Sequence, residues 1–539
     1  MKKVSKIAMT SFTGILCAAA LAGCNKQGAD LLMWTGFGGS YTMSLEEVLG
    51  DYTAETGVSI EHQSQKGYDN LQNNMNNSIA TESYPNFANG YPDHFANYIN
   101  NEIQVPLDDY IEKYNEEHGT DLLKDYYEQY MVENQTLAYD ESGKGITYAL
   151  PFNKSTEVMG YNNFFVQYAI TKDASIATTC STGIVPGVPT TWDEVRAVGP
   201  KYTAVMQTLG KPNEDTLGKW VYGTADEQHP ENILPDSWEV VDAIADEKGE
   251  DHAPAGKKLL IDCSRVELGK FRPFSWDSAD NMFITIVRQW GGIYTEYTKD
   301  DIQIGHGWAR FYDADVKAKT IAACEFFKSL NADHIFALPS ELASTASFSS
   351  DSFRANQCIF TVCSSGGLSY NIKEDGSGRK FRVAPIPYHE VDKKFVISQG
   401  TNLAVFDQGS KEDQQKSFEV IVALTTGELQ GKWAVETGYY PASRSATNSE
   451  AYQNLINNPP KNETDAAYQE SAQVNNNYYM AVNAEHPELE WEKFVDPGFM
   501  GSSIIRSEVG KVMAIIFKGD KTVEETLQTT YDRISQYHR

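Results

Sequence analysis

Paired carboxylates are the first chemistry that the residues of this chain could support. Glycoside hydrolysis uses two Asp or Glu side chains at a fixed separation, one acting as the acid and the other as nucleophile or base. Asp277 with Asp280, and Glu436, are candidates for such a pair. The chain has 74 acidic residues, however, so almost any window of sequence offers one. A glycoside hydrolase therefore remains an alternative that the sequence does not select.

Other catalytic and metal-binding patterns are missing. There is no G-x-S-x-G pentapeptide to place a serine nucleophile on a strand-to-helix turn, and the ten histidines include no H-E-x-x-H pair. Gly36, Gly38 and Gly39 follow an apolar run, but they complete neither G-x-G-x-x-G nor G-K-[ST]. We therefore expect no catalytic residue, no metal and no cofactor. We interpret the glycine turn as a point where the backbone comes close to another surface.

The length and the charge balance exclude several classes of protein. The chain has 539 residues, which is enough for two or three domains with buried cores. Its formal net charge of −29 repels the phosphates of nucleic acids and the surface of anionic membranes. We therefore expect no nucleic-acid partner.

The elements that would position these residues are strands alternating with helices. Leu31–Thr35 is a short apolar run, and a stripe from Leu45 to Tyr52 then recurs at helical spacing. Val58 begins the next alternating strand, so the chain opens as a β-α-β unit. Such alternation is typical of α/β proteins with mostly parallel sheets. Later in the chain, prolines and acidic clusters interrupt the alternation of strands and helices, and they indicate an insertion around 210–272.

The amino terminus has the order of an export signal. Three lysines lie in residues 1–6, an uncharged apolar run follows over 7–21, and the run ends in Leu21-Ala22-Gly23-Cys24. This ending resembles the lipobox of bacterial lipoproteins, in which the cysteine is lipidated; the alternative is an ordinary signal peptide with a chance cysteine. We predict a signal peptide over 1–23, a lipid on Cys24 and a tether over 24–30. The protein would then be anchored by lipid on the outer face of a membrane, extracellular or periplasmic.

The cysteines after the leader show no disulfide framework. Their number is odd and they contain no C-x-x-C pair, so we predict buried free thiols. They are Cys180, Cys263, Cys324, Cys358 and Cys363.

Several later segments resemble one family, the extracellular solute-binding proteins of carbohydrate-type ABC importers, and they occur in the family's order. The segments are Leu150-Pro151-Phe152-Asn153-Lys154-Ser155-Thr156 with Tyr161-Asn162-Asn163, Pro189-Thr190-Thr191-Trp192-Asp193-Glu194, the turn after Phe360, Val383-Ala384-Pro385-Ile386-Pro387, Gly400-Thr401-Asn402-Leu403-Ala404-Val405, and Thr437-Gly438-Tyr439-Tyr440-Pro441-Ala442-Ser443-Arg444. The insertion makes this chain longer than a typical member.

The resemblance implies a periplasmic-binding-protein-like α/β fold, with two α/β lobes, a hinge and a ligand cleft between them. Lobe 1 would comprise 31–153 with 400–450, and lobe 2 would comprise 154–399 with 460–539. The chain would cross between the lobes near 153–157 and 395–400, with a third connection around 446–460.

The same resemblance implies a set of ligand-binding residues around the cleft. They are Gly38, Ser40, Tyr68, Tyr91, Asp93, Ser155, Trp276, Asp277, Ser365, Gly366, Gly367, Gly400, Thr401, Tyr440 and Arg444. For some of them a structural role is the alternative: Tyr68 and Trp276 fit a core, and Arg444 fits a surface ion pair. Lys154, beside Ser155, is expected to be solvated.

The function implied is capture of a solute, most simply an oligosaccharide or other glycoside, and its delivery to a permease driven by a separate ATPase. Stacked aromatic rings with amide, hydroxyl and carboxylate partners suit such a solute. We expect a small-molecule ligand, ABC permease subunits as partners, a monomer, and no enzymatic activity. A glycerophosphodiester or sugar phosphate, bound by Lys154, Arg444 or a helix N-terminus, is the alternative within the class. A lipid-anchored glycoside hydrolase and a surface adhesin are the alternatives outside it.

Overall fold

The structure is a computed structural model that describes residues 28–537 except 182, 184, 210–215, 218, 225–236, 243–256, 265, 299–305, 345, 347, 372–380 and 458–490. The predicted leader, Cys24 and residues 24–27 of the predicted tether lie outside the described residues, as do parts of the predicted insertion and of the third connection. Within the described part, no helix combines the length and the apolar character that crossing a bilayer requires.

One ten-stranded sheet organises the molecule, and its strands fall into two parallel groups. In the first group β1 pairs in parallel with β2 and β3, and in the second group β10 pairs in parallel with β13 and β14. The main order is β13-β10-β14-β4-β16-β3-β1-β2, with β15 beside β4 and β17 beside β16. The strands of this sheet are β1 Leu31–Thr35, β2 Ile60–Ser64, β3 Phe87–Gly90, β4 Leu150–Asn162, β10 Phe274–Trp276, β13 Phe336–Ala337, β14 Phe360–Ser364, β15 Phe381–Ala384, β16 Phe395–Val405 and β17 Glu492–Phe494.

Two long strands, β4 and β16, join the groups. They pair with each other antiparallel from Leu150↔Leu403 to Thr156↔Ser398. Residues 157–162 of β4 pair with β14 of the second group and with β15, whereas residues 402–405 of β16 pair with β3 of the first group. The segments 153–157 and 395–400, where the sequence predicts crossings, lie within these two strands.

Seven shorter strands form three small sheets. They are β5 Thr216–Leu217, β6 Lys219–Gly223, β7 Glu239–Asp242, β8 Lys258–Asp262, β9 Val266–Glu267, β11 Thr295–Thr298 and β12 His306–Ala309. The first five lie in the predicted insertion, and Val221, Ile261 and Val266 from them are buried in the same core cluster as Phe274 of β10. The described part of the insertion is therefore packed onto the second strand group.

Helices pack against the strands of the main sheet. They are α1 Ser40–Thr56, α2 Tyr68–Ile79, α3 Pro92–Asn100, α4 Asp108–His118, α5 Leu122–Asp125, α6 Glu128–Met131, α7 Asn163–Lys172, α8 Ser175–Thr179, α9 Trp192–Thr208, α10 Ala279–Gln289, α11 Lys317–Ala332, α12 Pro339–Leu342, α13 Ser350–Arg354, α14 Lys411–Thr425, α15 Gly427–Thr437, α16 Arg444–Thr447, α17 Glu450–Asn457, α18 Ser502–Val509, α19 Val512–Lys518 and α20 Val523–Ile534. In α1 the predicted stripe from Leu45 to Tyr52 is the buried face, and Gly57 ends the helix in the left-handed conformation.

The five cysteines after the leader are all free and buried, which confirms the prediction made from their number and spacing. Burial raises the pKa of the Cys363 thiol well above its ordinary value, and it raises the pKa values of Cys324 and Cys358 as well. These thiols are therefore protonated packing residues.

Candidate functional site

The carboxyl ends of the parallel strands in both groups point toward the segment where β4 and β16 cross. Gly90, the last residue of β3, lies opposite Asn402 of β16, which also pairs with Pro151. Ser364, the last residue of β14, lies opposite Glu157 of β4. Six residue steps along β4 separate Pro151 from Glu157, a span of roughly 20 Å. Open α/β sheets bind ligands beyond the carboxyl ends of their strands, so the candidate site lies over this span.

The side of this span nearest the first strand group, which we call the first wall, is aromatic and neutral. It consists of Tyr68, Tyr91, Asn153 and Tyr439. The rings of Tyr68 and Tyr91 meet edge to face with their centroids 5.0 Å apart, and the Asn153 amide donates to the Tyr68 hydroxyl at 3.3 Å. The Tyr439 hydroxyl hydrogen-bonds with Asn153 and Tyr68. Burial raises the pKa of all three tyrosines, so their phenols stay neutral.

A chain of neutral hydrogen bonds holds the first wall in place. The backbone N–H of Gly36 donates to the Asn89 side chain at 3.1 Å, and the Asn89 amide donates to the Thr401 hydroxyl at 3.1 Å. Thr401 in turn donates to the side-chain oxygen of Asn153. The glycine turn after β1 is thus connected, through two buried amides and one hydroxyl, to the strand that carries the site.

A buried ion pair lies behind the first wall. The Lys154 ammonium contacts the Glu133 carboxylate and also donates to the Gly400 carbonyl at 3.3 Å, while Asn402 donates to the same Glu133 oxygen at 2.8 Å. Lys154 is only 1% exposed. The expectation that Lys154 is solvated is therefore wrong: the side chain turns inward because Glu133 supplies its counter-charge.

Gly400 allows β16 to come close to β4 at this point. Its φ is +115°, and a Cβ added there would lie 2.0 Å from the Asn153 carbonyl oxygen. Both observations require glycine, because an L side chain would be strained and would clash with backbone.

The side of the span nearest the second strand group, the second wall, is built on charged groups. We define it as Glu157, Trp276, Asn281 and Arg506. The Trp276 indole N–H donates to Glu157 at 2.7 Å, and Asn281 donates to Gln399 of β16 at 2.7 Å. Burial is the main cause that raises the pKa of Glu157 to about 8. This carboxyl is therefore mostly protonated at neutral pH.

Arg506 anchors the outer end of the second wall. Its Nε donates to Asp280 at 2.7 Å, one terminal nitrogen donates to Asp496 at 3.1 Å, and the other donates to Asn281. Burial alone would raise the pKa of Asp280, but the Arg506 charge and hydrogen bonds lower it below its ordinary value. Burial dominates for Asp496 and raises its pKa to about 6.

A cavity of about 640 Å³ opens beside the first wall. It is lined by Gly36, Gly38, Gly39, Thr42, Met43, Ser64, Lys66, Gly67 and Tyr370. Tyr370 comes from the second strand group and the others from the first, so the cavity lies between the groups. Lys66 is the one charged side chain among these described lining residues.

The two groups touch around this cavity. The Tyr41 hydroxyl donates to the Gly366 carbonyl, and the rings of Tyr41 and Tyr370 meet edge to face at 5.8 Å. A Cβ at Gly366 would lie 2.3 Å from the Tyr439 ring. On another part of the interface Gln72 donates to the Ser503 hydroxyl at 3.2 Å.

The structure brings together part of the predicted site. Tyr68 and Tyr91 are in contact, Gly38 lines the cavity and Thr401 bonds Asn153. The Ser364 hydroxyl lies 3.2 Å from that of Ser155. Other members of the predicted set are located nearby. Ser40 begins α1, and Asp93 lies in the first turn of α3. The Ser365 hydroxyl accepts from the Thr156 N–H at 3.2 Å, Gly366 and Gly367 follow Ser365, and the Tyr440 N–H donates to the Lys154 carbonyl at 2.8 Å.

Three predicted residues have protein partners of their own. Trp276 is fully buried and stacks on Trp192 with centroids 5.7 Å apart, a placement that matches its core alternative. Asp277 accepts from the backbone N–H and the hydroxyl of Ser349. Arg444 is exposed, and one nitrogen donates to the carbonyls of Lys124 and Tyr126 at 3.0 and 2.7 Å.

Sequence reasoning missed Asn153, Tyr439, Glu157 and Arg506. Tyr439 and Asn153 lie in segments that carry the family resemblance, one residue away from Tyr440 and Lys154. Neighbouring residues of a strand point to opposite faces, and this alternation is the sequence signal that could have identified them. Arg506 has no motif around it, and its partner Asp280 is 226 residues away along the chain.

Comparison with known proteins assigns this chain to a protein family. Residues 47–460 match the family described as bacterial extracellular solute-binding protein. Among curated proteins no sequence matches the chain.

Solved structures of similar fold cover almost the whole chain. UgpB from Mycobacterium tuberculosis, solved with glycerophosphocholine, superposes with a TM-score of 0.60 at 16% identity over 94% of this chain and 97% of its own. The GacH receptor of Streptomyces glaucescens, solved with acarbose, superposes with a TM-score of 0.59 at 13% identity, over 94% of this chain and 98% of its own. The substrate-binding protein Lmo0181 from Listeria monocytogenes, solved with cycloalternan, superposes with a TM-score of 0.58 at 15% identity, over 94% of this chain and 97% of its own.

These matches confirm the predicted fold class, an α/β protein of the periplasmic-binding-protein type. The family match covers most of the chain, including the first wall from Tyr68 to Tyr439. This chain therefore belongs to the bacterial extracellular solute-binding protein family.

Proposed function

We propose that the protein is the substrate-binding component of an ABC importer, which captures an oligosaccharide or other glycoside and delivers it to the permease. The observation that carries this proposal is the first wall. Tyrosine rings and neutral amides held by a fixed hydrogen-bonded chain suit the flat CH faces and the hydroxyls of a sugar. Such preorganised sites bind with less loss of side-chain freedom.

The relatives support this class of solute. The similar structures were solved in complex with acarbose, cycloalternan and glycerophosphocholine. Two of these three are saccharides, and all three proteins share the fold of this chain. A member of an extracellular solute-binding family works outside the cytoplasm. We propose further that Cys24 carries the lipid anchor and that the protein acts as a monomer.

The charged residues of the site favour a solute without phosphate. The Lys154 ammonium is buried against Glu133, and Arg506 is engaged by Asp280 and Asp496. Arg444 donates to backbone carbonyls. These cations are thus already neutralised or hydrogen-bonded by the protein itself, so they offer a phosphate little.

Binding without chemistry is the simpler account of the carboxylates. Asp277 is bound to Ser349, and Asp280 is bound to Arg506. A glycosidase needs one carboxyl group positioned as acid and one as base or nucleophile across the sugar. The candidate pair is instead engaged by separate structural partners, so we infer that the protein is not an enzyme.

A glycerophosphodiester is the second candidate solute, and one observation favours it. Lys66 lines the cavity together with Gly38 and Gly39 at the N-terminus of α1, where no side chain caps the helix. The positive end of a helix dipole and a lysine are suited to a phosphate.

A binding screen with product analysis tests the proposal. The lipid-free protein from residue 25 onward is mixed with maltotriose, other neutral oligosaccharides, glycerophosphocholine and glycerol 3-phosphate, and its melting is followed. A ligand at 100 times its Kd stabilises the fold by about 2.7 kcal/mol. We expect a neutral saccharide to do so and to be recovered intact.

Matched variants locate the binding. Tyr91→Ala is expected to abolish the shift, whereas Tyr110→Ala, on α4 away from the cavity, is expected to retain it. A hit only with phosphate compounds that Lys66→Gln removes would favour the second candidate. Cleavage of the saccharide would show an enzyme, and the absence of any shift would contradict carbohydrate capture.

A further inference from the structure

Tyr370 presents an exposed aromatic ring to the cavity between the strand groups. It is 45% exposed, and among the described residues that line this cavity it is the one that belongs to the second group. Large apolar side chains scattered singly over a protein surface are ordinary. A ring that lines a cavity of about 640 Å³ is different, because this volume is within the range of small-molecule binding sites.

The short turn that carries Tyr370 is held near both of its ends. It is a 3-10 helix over Ser365–Asn371. At its start the Ser365 hydroxyl accepts from the backbone N–H of Thr156 in β4 at 3.2 Å. At its end a terminal nitrogen of Arg354 donates to the Tyr370 carbonyl at 3.0 Å. The backbone therefore fixes the position of the ring, so that binding a solute requires little ordering of this turn.

The first strand group contributes bare backbone to the same cavity. Gly38 and Gly39 line it, and a Cβ added to either would meet no described atom within 4 Å beyond its chain neighbours. Open space therefore lies where a side chain would otherwise project. The peptide groups beside this space can hydrogen-bond to sugar hydroxyls, and the Tyr370 ring offers a flat apolar surface to the CH face of a sugar.

Gly36 connects the cavity to the first wall. It lines the cavity, and it packs so closely on Tyr68 that an added Cβ would lie 2.5 Å from the Tyr68 ring. Tyr68 in turn contacts the ring of Tyr91. The first wall and the cavity are therefore neighbouring surfaces, which a chain of linked sugar units can cover together.

We propose that Tyr370 stacks on a second sugar unit of a solute whose first unit lies on the first wall, so that the protein selects oligosaccharides over monosaccharides. The proposal rests on the saccharide function above, because it names the length of that solute and a further residue that contacts it. Tyr370 belongs to the second group, so this contact also holds the two groups together around the solute.

Calorimetry with two series of sugars tests the selection by length. The series are glucose, maltose and maltotriose, and glucose, cellobiose and cellotriose, which differ in the linkage between units. Truncation of an aromatic anchor corresponds to about 10 to 100-fold in affinity. We expect the trisaccharide of at least one series to bind tighter than glucose by that factor. Tyr370→Ala should remove the advantage by weakening the trisaccharide and not glucose.

Two further variants separate stacking from an effect on the fold. Tyr370→Phe keeps the ring and should keep the affinity for the trisaccharide. Phe348→Ala removes a ring that is 63% exposed on the same strand group and is not among the described residues lining the cavity. This control should leave the ratio of the two Kd values unchanged.

The outcomes distinguish this proposal from the function on which it rests. If Tyr370→Ala weakened glucose and the trisaccharide equally, Tyr370 would act on the fold or on the contact between the groups, and the proposal would fail. A trisaccharide that binds no tighter than glucose, or that ignores Tyr370→Ala, would overturn the proposal and leave saccharide capture in place. Failure of both series to bind would also overturn it, and failure of every saccharide in the wider screen would remove the proposed function as well.

Discussion

The two walls of the site are built on different physical principles. The first wall uses uncharged groups, in which Gly36, Asn89, Thr401 and Asn153 form one hydrogen-bonded chain. The second wall uses a buried carboxyl at Glu157 and a guanidinium shared among carboxylates. Neutral hydrogen bonds change little with pH, whereas buried ionisable groups respond strongly. We therefore expect the first wall to provide a constant surface and the second to respond to pH and to charged solutes.

The largest effect on stability is expected at the ion pair of Lys154 and Glu133, which is the one charged feature next to the otherwise neutral first wall. Lys154→Met leaves Glu133 buried without its counter-charge, so the free energy of unfolding should fall by about 3–5 kcal/mol. Urea unfolding measures the change.

Two controls sharpen this test. The double variant Lys154→Met with Glu133→Gln removes both charges and should recover most of the loss. Lys113→Met breaks an exposed pair with Glu117 and should have little effect. If Lys154→Met were as mild as Lys113→Met, the first wall would not depend on a buried charge.

A pH-dependent effect is expected in the second wall. Glu157 has a pKa of about 8 in the folded protein and an ordinary value of 4.5. The folded state keeps a proton that the unfolded state releases between these values. Stability from this group is therefore full below pH 4.5 and is lost as pH rises toward 8, at roughly 1.4 kcal/mol per pH unit.

Glu157→Gln keeps an acceptor for Trp276 but cannot ionise. The free energy of unfolding of the variant, relative to the natural protein, should therefore rise between pH 5 and pH 8. Glu102→Gln, on an exposed turn, serves as the control and should show no such trend. A constant difference between Glu157→Gln and the natural protein across this range would mean that Glu157 is not held protonated.

The smallest effect is expected outside both walls. Arg444→Ala removes hydrogen bonds to the Lys124 and Tyr126 carbonyls and a cation over the Tyr127 ring, so stability should fall by about 1 kcal/mol or less. The Kd of the solute, measured by calorimetry, should stay unchanged. A large loss of affinity would instead place Arg444 in the site, as the family resemblance implies.

The sequence predicted the parts of the fold that depend on local pattern. The apolar run Leu31–Thr35 is β1 at the bounds expected, and Gly57 ends α1 because its left-handed conformation suits glycine. Tyr68 and Tyr91 were predicted from the family resemblance, and both follow the carboxyl ends of β2 and β3, where α/β proteins place their sites.

The parts that depend on distant partners could not be predicted. Lys154 reads as a surface residue until Glu133, 21 residues earlier, is known to face it. Two of the three partners of Arg506, Asp280 and Asn281, lie more than 200 residues away along the chain. No spacing rule joins such residues, because their contact is created by the packing of α18 on α10.

The five buried thiols make this protein convenient for spectroscopy. These five cysteines are buried, and burial raises the thiol pKa of Cys180, Cys324, Cys358 and Cys363, so maleimide dyes should not react with them in the folded state. Met43 and Phe348 are 66% and 63% exposed, on the first and second strand groups respectively. Cysteines substituted at these two positions would carry a dye pair while all five natural core cysteines stay in place, so the separation of the two groups could be followed one molecule at a time while a solute is added.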